Sequence, residues 1–555
     1  MMARDYMLVI CASDSRGGAG LQAALAQAAL IECECRTVLT SVTVQSHEGV
    51  EHAEAVSCSL VRQQFESALK DGLPNVVLIG WLPPDPAMIG LIRELLTELR
   101  SRTEVQIVWD PVLKPTLGHL PAQHTELMSL LPLVSVMTPS LCEARALCSV
   151  VNDDHQANAT LNADSAARQL QEMGASTVVI TGGDIAGDEH QKDWAENDET
   201  ENDGTENDAP TDHQDAGCWI TDRVYSRRDE GIPETGVLTE FAMHQRRVSA
   251  SAHGTGSHFS AAVAAYLSVG ERLYDALLKG AAATRQALLN ASGCERFDYG
   301  NAQARVLPED GDVWPIVTNI VSSIVSDQTS QSIVRRSHEQ AAFAPYKPGL
   351  YALTDSVEHA KILIRQGIDT LQWRVKDSRP DYREQTLEVL NLCREAGVGF
   401  WLNDDWRLAL DIHPDGVHLG QEDLLDADIP ALRASGVGLG ISTHTDWEIA
   451  RARFFEPSYI AFGPVFPPLS KKLKYPPLGI DRLTAWSKRY KAWPRTCIGG
   501  IVPDNVAAVA ATGVGSFALV TCIAGGPADE PRIGETLRIL RNALDASQSG
   551  GDKIN

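Results

Sequence analysis

Polar residues that could handle a phosphate group and a metal follow a series of short apolar runs between Gly349 and Thr521. They are Gln372, Arg374, Lys376, Asn403, Asp404, Asp423, Ser442, Lys471, Gly500 and Thr521. Proteins hold Mg²⁺ through one or two carboxylates plus phosphate oxygens, and backbone N–H groups or cationic side chains bind the remaining oxygens. The set therefore predicts a metal-assisted reaction of phosphate esters.

Eight apolar runs must position these residues, and the stretches between them are long enough for helices. Strands that alternate with helices form parallel sheets, and eight such units close into a (β/α)₈ TIM barrel with its active site at the carboxyl ends of the strands. The sequence thus predicts a TIM barrel over residues 346–546. The predicted strands are 349–354, 369–374, 398–402, 415–419, 437–441, 458–463, 495–499 and 516–521.

The segment LQWRVK places three polar side chains on one face of a strand. Side chains alternate between the two faces of a strand, so Gln372, Arg374 and Lys376 share a face and Leu371 and Trp373 face the helices. Two cations at the mouth of an apolar barrel require an anionic partner. A phosphate is one such partner, and a salt bridge to a nearby carboxylate is the alternative.

The next two predicted strands end in carboxylates, Asp404 and Asp423. Carboxylates from adjacent strand ends can meet at one hard cation, which favours Mg²⁺. The alternative is that each Asp caps the helix that follows. Beside Arg374 and Lys471 we favour the metal site.

Two features near the end of the barrel favour a second phosphate site. Gly500 follows the seventh strand and Thr521 ends the eighth, where barrels commonly bind phosphate through backbone N–H groups. The sixth strand opens into a long loop rich in Pro and Lys, GPVFPPLSKKLKYPPLG, and loops of this kind carry substrate contacts.

The first half of the chain has its own anion-binding pattern, AHGTGSHFSAAVAAYL. Gly254, Thr255 and Gly256 directly precede an Ala-rich helix, whose N–H groups and dipole would form an anion hole. A glycine turn that only starts a helix is the alternative. Apolar runs at 6–12, 37–44, 75–80, 105–109, 133–138 and 177–181 alternate with helical patterns and predict a doubly wound α/β sheet over residues 1–295.

Length and charge limit the remaining possibilities. A chain of 555 residues needs more than one core, and a net charge of −25 argues against a nucleic-acid partner. Residues 184–217 hold 13 acidic residues against one lysine, a local charge of −12, and are predicted to be a disordered insertion. We expect an ordered connector over 296–345 and a disordered tail over 547–555.

The cellular setting is predicted from the same composition. No apolar run approaches the roughly 20 residues of a membrane span, and the N-terminus enters a glycine-rich loop directly. The 11 cysteines form no repeated pairs, which fits reduced thiols. We therefore expect a cytoplasmic protein that acts on small molecules, and a homo-oligomer is compatible with the sequence.

Residues 346–546 resemble the thiamine-phosphate synthase family. The motifs occur in order as LQWRVK, WLNDDWRLAL, DGVHLGQED, GISTH, YIAFGPVF, CIGGI and ALVTCIAGG. The resemblance implies that hydroxymethylpyrimidine diphosphate is joined to a thiazole phosphate with release of pyrophosphate. Mg²⁺ would assist at Asp404 and Asp423.

The resemblance also implies roles for individual residues. The pyrimidine diphosphate would be held by Gln372, Arg374, Lys376, Asn403, Ser442 and Lys471, with Lys471 also catalytic beside the leaving pyrophosphate. The thiazole phosphate would be held by Pro468, Ser470, Gly500, Val520 and Thr521. The family usually has Thr-x-Thr-Lys where this chain has Pro468, Leu469, Ser470 and Lys471, so we expect weaker contacts to the thiazole phosphate.

Residues 5–292 resemble hydroxymethylpyrimidine/phosphomethylpyrimidine kinase, a ribokinase-like family that uses ATP and Mg²⁺. The motifs are SDSRGGAGLQ, TSVTVQS, IVWDPVL, MTPSLCEA, VITGG and HGTGS. The resemblance implies that Gln45 contacts the pyrimidine and that Glu143 lies near Mg²⁺. Gly254, Thr255 and Gly256 would receive the transferred phosphoryl group.

Three residues depart from this kinase pattern. Ser257 occupies the position of the catalytic base, which is usually Cys or Asp, and is a poor base unless His253 or His258 assists it. Thr181 replaces a Lys, and Ser140 replaces an Asn. The sequence therefore predicts either a weak kinase or a domain that only binds pyrimidine or regulates the synthase. That both halves serve another vitamin or sugar phosphate is a third alternative.

Overall fold

The computed structural model describes residues 5–46, 49–113, 126–150, 161–182, 219–227, 239–248, 254–290, 307–319, 342–376, 379–467 and 475–551. The chain divides into two compact units, Met1–Pro308 with Asp312–Ser330 and Glu309–Gly311 with Gln331–Asn555. The predicted acidic insertion, 184–217, lies outside the described residues. Within the described ranges, no helix is both long and apolar enough to cross a membrane.

The first unit is built on a ten-stranded sheet of order β10-β9-β8-β7-β6-β5-β4-β1-β2-β3. The pairs from β2 through β1, β4, β5 and β6 to β7 are parallel, and the remaining pairs are antiparallel. The strands are β1 (Met7–Ser13), β2 (Cys35–Ser46), β3 (Gly49–Ala55), β4 (Val76–Ile79), β5 (Gln106–Trp109), β6 (Val136–Met137), β7 (Thr177–Ile180), β8 (Trp219–Ser226), β9 (Thr239–Arg246) and β10 (Ile316–Asn319).

Helices cover the parallel strands of this sheet and bury them. The strand β1 is apolar along its first six residues, all of them buried, as expected for a central parallel strand. The helices are α1 (Gly20–Ile31), α2 (Cys58–Ala68), α3 (Pro86–Arg102), α4 (Leu141–Cys148), α5 (Ala163–Glu172), α6 (Thr255–Ser268) and α7 (Leu273–Asn290), with 3₁₀ turns at Leu127–Leu133 and Gly311–Val313. This arrangement confirms the predicted α/β fold with a central parallel sheet.

The sheet is larger than the six strands predicted from sequence. The antiparallel strands β3, β8, β9 and β10 were missed because they carry many polar residues. The strand β10 lies inside the predicted connector, 296–345, and pairs with β9 so that Ile316 is opposite His244. The first unit therefore continues past the predicted boundary at residue 295.

The second unit is a closed barrel in which each strand pairs with its sequence neighbours and β18 pairs with β11. Its strands are β11 (Leu350–Thr354), β12 (Thr370–Trp373), β13 (Gly399–Asn403), β14 (Gly416–Leu419), β15 (Gly438–Thr443), β16 (Tyr459–Phe462), β17 (Arg495–Ile498) and β18 (Phe517–Leu519). All pairs are parallel. The TIM barrel and its eight predicted strands are confirmed.

The barrel helices end with one that runs further than predicted. They are α8 (Val357–Arg365), α9 (Tyr382–Ala396), α10 (Trp406–Ile412), α11 (Ile429–Ala434), α12 (Asp446–Phe454), α13 (Gly479–Arg489), α14 (Val506–Ala511) and α15 (Glu530–Gly551), with 3₁₀ turns at Asp423–Leu425, Thr521–Ile523 and Pro527–Asp529. The helix α15 takes in the first residues of the predicted disordered tail, 547–555, and Ser547 Oγ donates to the Leu544 carbonyl at 2.7 Å. This local bond supports the added helical turn.

Two apolar layers hold the barrel together. Leu371 and Trp373 pack in the outer layer between strands and helices, as the alternation of LQWRVK predicts. The interior is aromatic and contains Tyr346, Tyr351, Trp401 and Tyr459. Gly440 makes this interior possible, since a Cβ there would lie 2.3 Å from Cζ of the Tyr459 ring.

Candidate active sites

A cavity of about 460 Å³ in the first unit gathers the residues singled out in that half of the sequence. Its lining includes Gln45, Ser140, Glu143, Thr181, Gly254, Thr255, Gly256 and Ser257. These residues come from four different segments of the chain. The cavity opens where β1 and β5 end and where α6 begins, which is where parallel α/β sheets bind their ligands.

Two glycine turns meet at this cavity. Gly254 has a positive φ of 85°, and a Cβ there would lie 1.9 Å from the carbonyl oxygen of Gly18. Only glycine fits this close approach. The turn around Gly18 is held by Asp14, whose carboxylate accepts from the N–H groups of Arg16, Gly18 and Ala19 at 2.8–2.9 Å. The start of α6 is therefore fixed beside the first glycine loop.

Ser257 is paired with a carboxylate that the sequence argument did not consider. Its hydroxyl donates to Asp110 Oδ2 at 3.1 Å, and Asp110 also lines the cavity. Burial, followed by the charge of Glu143, raises the pKa of Asp110 to about 7. A carboxylate with such a pKa can exchange a proton near neutral pH.

His258, one of the two histidines that could have assisted Ser257, does not line the cavity. The His258 ring is buried and hydrogen-bonds to Gln27 on α1, and burial lowers its pKa to about 4. The first turn of a helix points successive side chains in different directions, so His258 enters the core while Ser257 lines the cavity. His253 lies outside the described residues.

The other two departures from the kinase pattern have different consequences. Ser140 forms a capping box with Glu143 at the start of α4, since its Oγ accepts from Glu143 N at 3.4 Å and its own N–H donates to Glu143 Oε2 at 2.9 Å. This serine therefore keeps Glu143 in place at the cavity. Thr181 bonds through its N–H to the Pro139 carbonyl at 2.9 Å and brings no positive charge.

At the mouth of the barrel two carboxylates come together. Asp404 follows β13 with a φ of 62°, an uncommon conformation for a residue other than glycine. Burial of the carboxyl group, followed by the charge of Asp423, raises the pKa of Asp404 to about 6. The residue as a whole is nevertheless exposed. The adjacent Asp405 caps α10 by accepting from Leu408 N at 3.0 Å. Asp405 therefore caps the helix, and the Asp404 carboxylate lies beside that of Asp423.

This carboxylate pair has the chemistry of a Mg²⁺ site. Mg²⁺ prefers oxygen ligands and commonly uses only one or two protein carboxylates. Within the described residues, no group of three or more His, Cys, Asp or Glu side chains could hold a metal. The pair therefore fits an ion that substrate oxygens complete, and it fits poorly an ion held by protein ligands alone.

The remaining predicted barrel residues that the structure describes follow the carboxyl ends of strands or lie at them. Arg374 is near enough for its charge to lower the pKa of Asp404, against the two larger effects. Asn403 is the last residue of β13, and Lys376 lies three residues beyond the end of β12. Gly500, Val520 and Thr521 lie exposed after β17 and β18. Pro468, Ser470 and Lys471 lie outside the described residues.

Comparison with known proteins gives a match for each half of the chain, in agreement with the two resemblances found in the sequence. Residues 348–523 match the family model for thiamine monophosphate synthase, and residues 14–226 match the model for phosphomethylpyrimidine kinase. The thiamine-phosphate synthase of Proteus mirabilis is 43% identical over 186 residues, which cover 33% of this chain and 86% of that protein. The chain belongs to the thiamine-phosphate synthase family.

Two solved structures are similar to parts of this synthase chain. A pyridoxal kinase from Staphylococcus aureus in complex with pyridoxal has 22% identity and a TM-score of 0.42, covering 57% of this chain and 100% of that one. A thiamine phosphate pyrophosphorylase from Pyrococcus furiosus has 26% identity and a TM-score of 0.32, covering 36% and 96%. The two family models match different stretches of this one chain.

Inside the synthase barrel, four buried or half-buried side chains form a series of hydrogen bonds that ends at Ser442. Gln372 was predicted from sequence as a site residue, and the other three were not. Gln372 Nε2 donates to Tyr351 Oη at 3.0 Å, and Tyr351 Oη lies 2.8 Å from Tyr459 Oη. Tyr459 Oη lies 2.7 Å from His418 Nδ1, and His418 Nε2 lies 2.7 Å from Ser442 Oγ. We call Gln372, Tyr351, Tyr459 and His418 the interior chain.

The sequence contained a signal for the interior chain. His418 alternates with apolar Val417 and Leu419 in a short barrel strand, so its ring had to face the interior. Burial, then the charge of Arg374, lowers the pKa of His418 to about 3, so the ring is neutral. A polar side chain facing a barrel interior needs partners there, and the tyrosines provide them.

Proposed function

We propose that the chain makes thiamine phosphate in consecutive steps on its two units. The first unit would phosphorylate hydroxymethylpyrimidine and then its phosphate with ATP. The barrel would join the resulting diphosphate to a thiazole phosphate. The observation that carries the proposal is the barrel mouth, where Asp404 and Asp423 lie beside Arg374 in a member of the synthase family.

The barrel residues would bind two phosphorylated substrates. Mg²⁺ held by Asp404 and Asp423 would neutralise charge on the departing pyrophosphate. The pyrimidine diphosphate would contact Gln372, Arg374, Lys376, Asn403, Ser442 and Lys471. The thiazole phosphate would lie against Gly500, Val520 and Thr521, with Pro468 and Ser470 completing the site.

Bond cleavage in the barrel requires no nucleophilic side chain. The methylene C–O bond of the pyrimidine diphosphate breaks, pyrophosphate takes the electron pair, and the aminopyrimidine ring stabilises the electron-deficient carbon. The thiazole nitrogen then forms the new C–N bond. The protein contributes charge neutralisation, hydrogen bonds to the leaving group and exclusion of water.

In the first unit, the start of α6 would stabilise the transferred phosphoryl group. The N–H groups of Gly254, Thr255 and Gly256 begin a 14-residue helix whose dipole favours an anion. The substrate hydroxyl would lie at Ser257, next to this anion site. The proton of the substrate hydroxyl would pass to Ser257 Oγ, and the proton of Ser257 would pass to Asp110 Oδ2. The substrate oxygen would then attack the γ-phosphorus of ATP, and ADP would leave.

The Ser257 and Asp110 contact favours a working kinase over a module that only binds pyrimidine. A serine alone is too weak a base, but a serine hydrogen-bonded to a carboxylate with a pKa of about 7 can relay a proton. The missing charge at Thr181 would still weaken the contact to phosphate. We therefore expect measurable kinase turnover that a Ser257→Cys variant exceeds by no more than about tenfold.

One assay tests both halves. The full chain is incubated with hydroxymethylpyrimidine, ATP, thiazole phosphate and Mg²⁺, and ADP, pyrimidine diphosphate and thiamine phosphate are followed together. Ser257→Ala should stop ADP formation but leave thiamine phosphate formation intact when pyrimidine diphosphate is supplied. Asp404→Asn should have the opposite effect. Pyrimidine binding without ATP consumption would support the binding module, and no synthase turnover would overturn the proposal for the barrel.

The setting of these reactions is part of the proposal. The substrates are small molecules, and the net charge of −25 disfavours a nucleic-acid partner. We place the enzyme in the cytoplasm, where ATP and reduced thiols are maintained. Sedimentation of the full chain would establish whether it is a homo-oligomer.

A further inference from the structure

The amide of Gln372 determines which group donates and which accepts in each hydrogen bond of the interior chain. The amide nitrogen of Gln372 has protons to give and accepts none, so Tyr351 Oη accepts from it and donates its own proton to Tyr459. Tyr459 Oη has two partners, so it donates to the other one, His418 Nδ1. Each hydroxyl in the chain thus accepts from one side and donates to the other.

This direction fixes the tautomer of His418. A ring whose Nδ1 accepts a proton carries its own proton on Nε2 when it is neutral. His418 Nε2 therefore donates to Ser442 Oγ, 2.7 Å away. The Ser442 hydroxyl must then use its own proton elsewhere. Ser442 lies near the carboxyl end of β15, which faces the barrel mouth.

Resting on the proposed synthase function, we infer that the interior chain is a positioning device that holds the Ser442 hydroxyl as a hydrogen-bond donor to the leaving pyrophosphate. A preorganised donor aimed at developing negative charge speeds a reaction without reorganising during it. The residues of the interior chain act through Ser442. Gln372 apart, they need not touch the substrate.

The same geometry links recognition of the pyrimidine to release of the leaving group. If the Gln372 amide turned over, its oxygen would face Tyr351 and every donor in the interior chain would reverse. Ser442 would then donate to His418 and could only accept from a ligand. A pyrimidine amino group that donates to Gln372 Oε1 would keep the amide nitrogen on Tyr351. Correct substrate binding would therefore keep Ser442 in its donor state.

The tautomer of His418 is the direct test. The full chain, labelled with ¹⁵N at its 15 histidines, is examined by ring-nitrogen NMR, and His418 is assigned by comparison with a His418→Gln variant. We expect a neutral ring with the proton on Nε2 near pH 7. A proton on Nδ1 would mean that the interior chain runs the other way and would overturn the inference.

Kinetics provide the second test, with a matched control in the same core. Tyr459→Phe removes a hydroxyl from the interior chain, whereas Tyr346→Phe removes a buried hydroxyl that bonds to Ser516 at 2.6 Å outside it. The two rings are neighbours, 4.3 Å apart between centroids. Loss of one stabilising donor typically costs 10²–10³ in rate, so weakening that donor should lower kcat by at least about tenfold in Tyr459→Phe.

The pattern of effects separates positioning from simple stability. We expect KM for the pyrimidine diphosphate to change by less than about twofold in Tyr459→Phe, because the binding groups stay in place. Tyr346→Phe should retain wild-type kcat, and Tyr351→Phe should resemble Tyr459→Phe. Equal kcat losses in Tyr346→Phe and Tyr459→Phe would overturn the inference. Absence of turnover in the wild-type chain would instead refute the proposed synthase function.

Discussion

Replacing Asp110 with Asn should make the first unit more stable and the proposed kinase slower. The Asp110 side chain is only 6% exposed and its partner is the Ser257 hydroxyl at 3.1 Å. Burial and the charge of Glu143 raise its pKa from 3.8 to about 7. The folded unit thus holds this proton more tightly than the unfolded chain does, so ionisation of Asp110 destabilises the fold.

The size of this destabilisation follows from linkage. A difference of about 3 pKa units corresponds to about 4 kcal/mol at most. Both states are protonated well below pH 4, so the penalty is absent there. It is small at pH 4, grows as pH rises towards 7 and is constant above it. Relaxation and water penetration reduce such penalties in real proteins. Asn keeps the shape and can still accept from Ser257, so we expect a gain of about 1–2 kcal/mol at pH 8.

Thermal unfolding of the full chain at two pH values measures this gain. Each kcal/mol should raise the melting temperature of a unit this size by about 2–4 °C, so Asp110→Asn should melt about 2–8 °C higher at pH 8 and nearly unchanged at pH 4. Kinase kcat/KM should fall at least about 100-fold, because the proton acceptor is gone. Synthase turnover on supplied pyrimidine diphosphate is the internal control and should not change.

Two results would refute this reasoning. A stability gain of the same size at pH 4 and pH 8 would show that charge on Asp110 is not its source. Kinase activity retained in Asp110→Asn would show that the carboxylate does not accept the proton. In the wild-type chain the same model requires kinase kcat/KM to decline as pH falls through about 7, since only ionised Asp110 can act as the base.

Three further predictions test other parts of the molecule. Asp404→Asn should lower synthase kcat at least about 100-fold, because one of two carboxylates is lost. It should also abolish the thermal stabilisation by Mg²⁺ that we expect for the wild-type chain, and equal stabilisation of both proteins would contradict the metal site. Gly254→Ala should destabilise the first unit by about 2–4 kcal/mol in denaturant unfolding, since the added Cβ would lie 1.9 Å from the Gly18 carbonyl oxygen. The control Gly256→Ala has open space at its Cβ and should cost less than about 1 kcal/mol. Gly440→Ala should lower synthase kcat together with barrel stability by displacing Tyr459, and unchanged values of both would argue against the aromatic interior.

The barrel was predictable from sequence because its strands are short, mostly apolar runs separated by stretches long enough for helices. That pattern needs no knowledge of distant contacts. The sheet of the first unit was predictable only in the strands that have a parallel neighbour. The strand β8, WITDRVYS, has three consecutive polar residues between two apolar pairs, so it shows neither a continuous apolar run nor a strict alternation, and it pairs antiparallel with β7. The sequence therefore predicted both fold classes but not the antiparallel half of the first sheet.

The candidate sites were predictable where neighbours in sequence share a strand end. Asp404 and Asp423 follow adjacent strands, so the barrel order brings them together. The pairs that were missed are distant in sequence: Ser257 lies 147 residues from Asp110, and Tyr351 lies 108 residues from Tyr459. Tyrosine in an apolar run also looks like core, and its hydroxyl takes on a role only once its partner is known.

Those distant contacts change how the three departures from the kinase pattern should be weighed. From sequence alone, Ser140, Thr181 and Ser257 all indicated a weakened phosphate site. In the structure, Ser140 caps α4 and fixes Glu143, and Ser257 gains Asp110 as a proton acceptor. Only Thr181 leaves a deficit, the absence of a positive charge near phosphate. A lost charge weakens ground-state and transition-state binding of ATP alike, so the remaining defect should appear mainly in KM for ATP and only slightly in kcat.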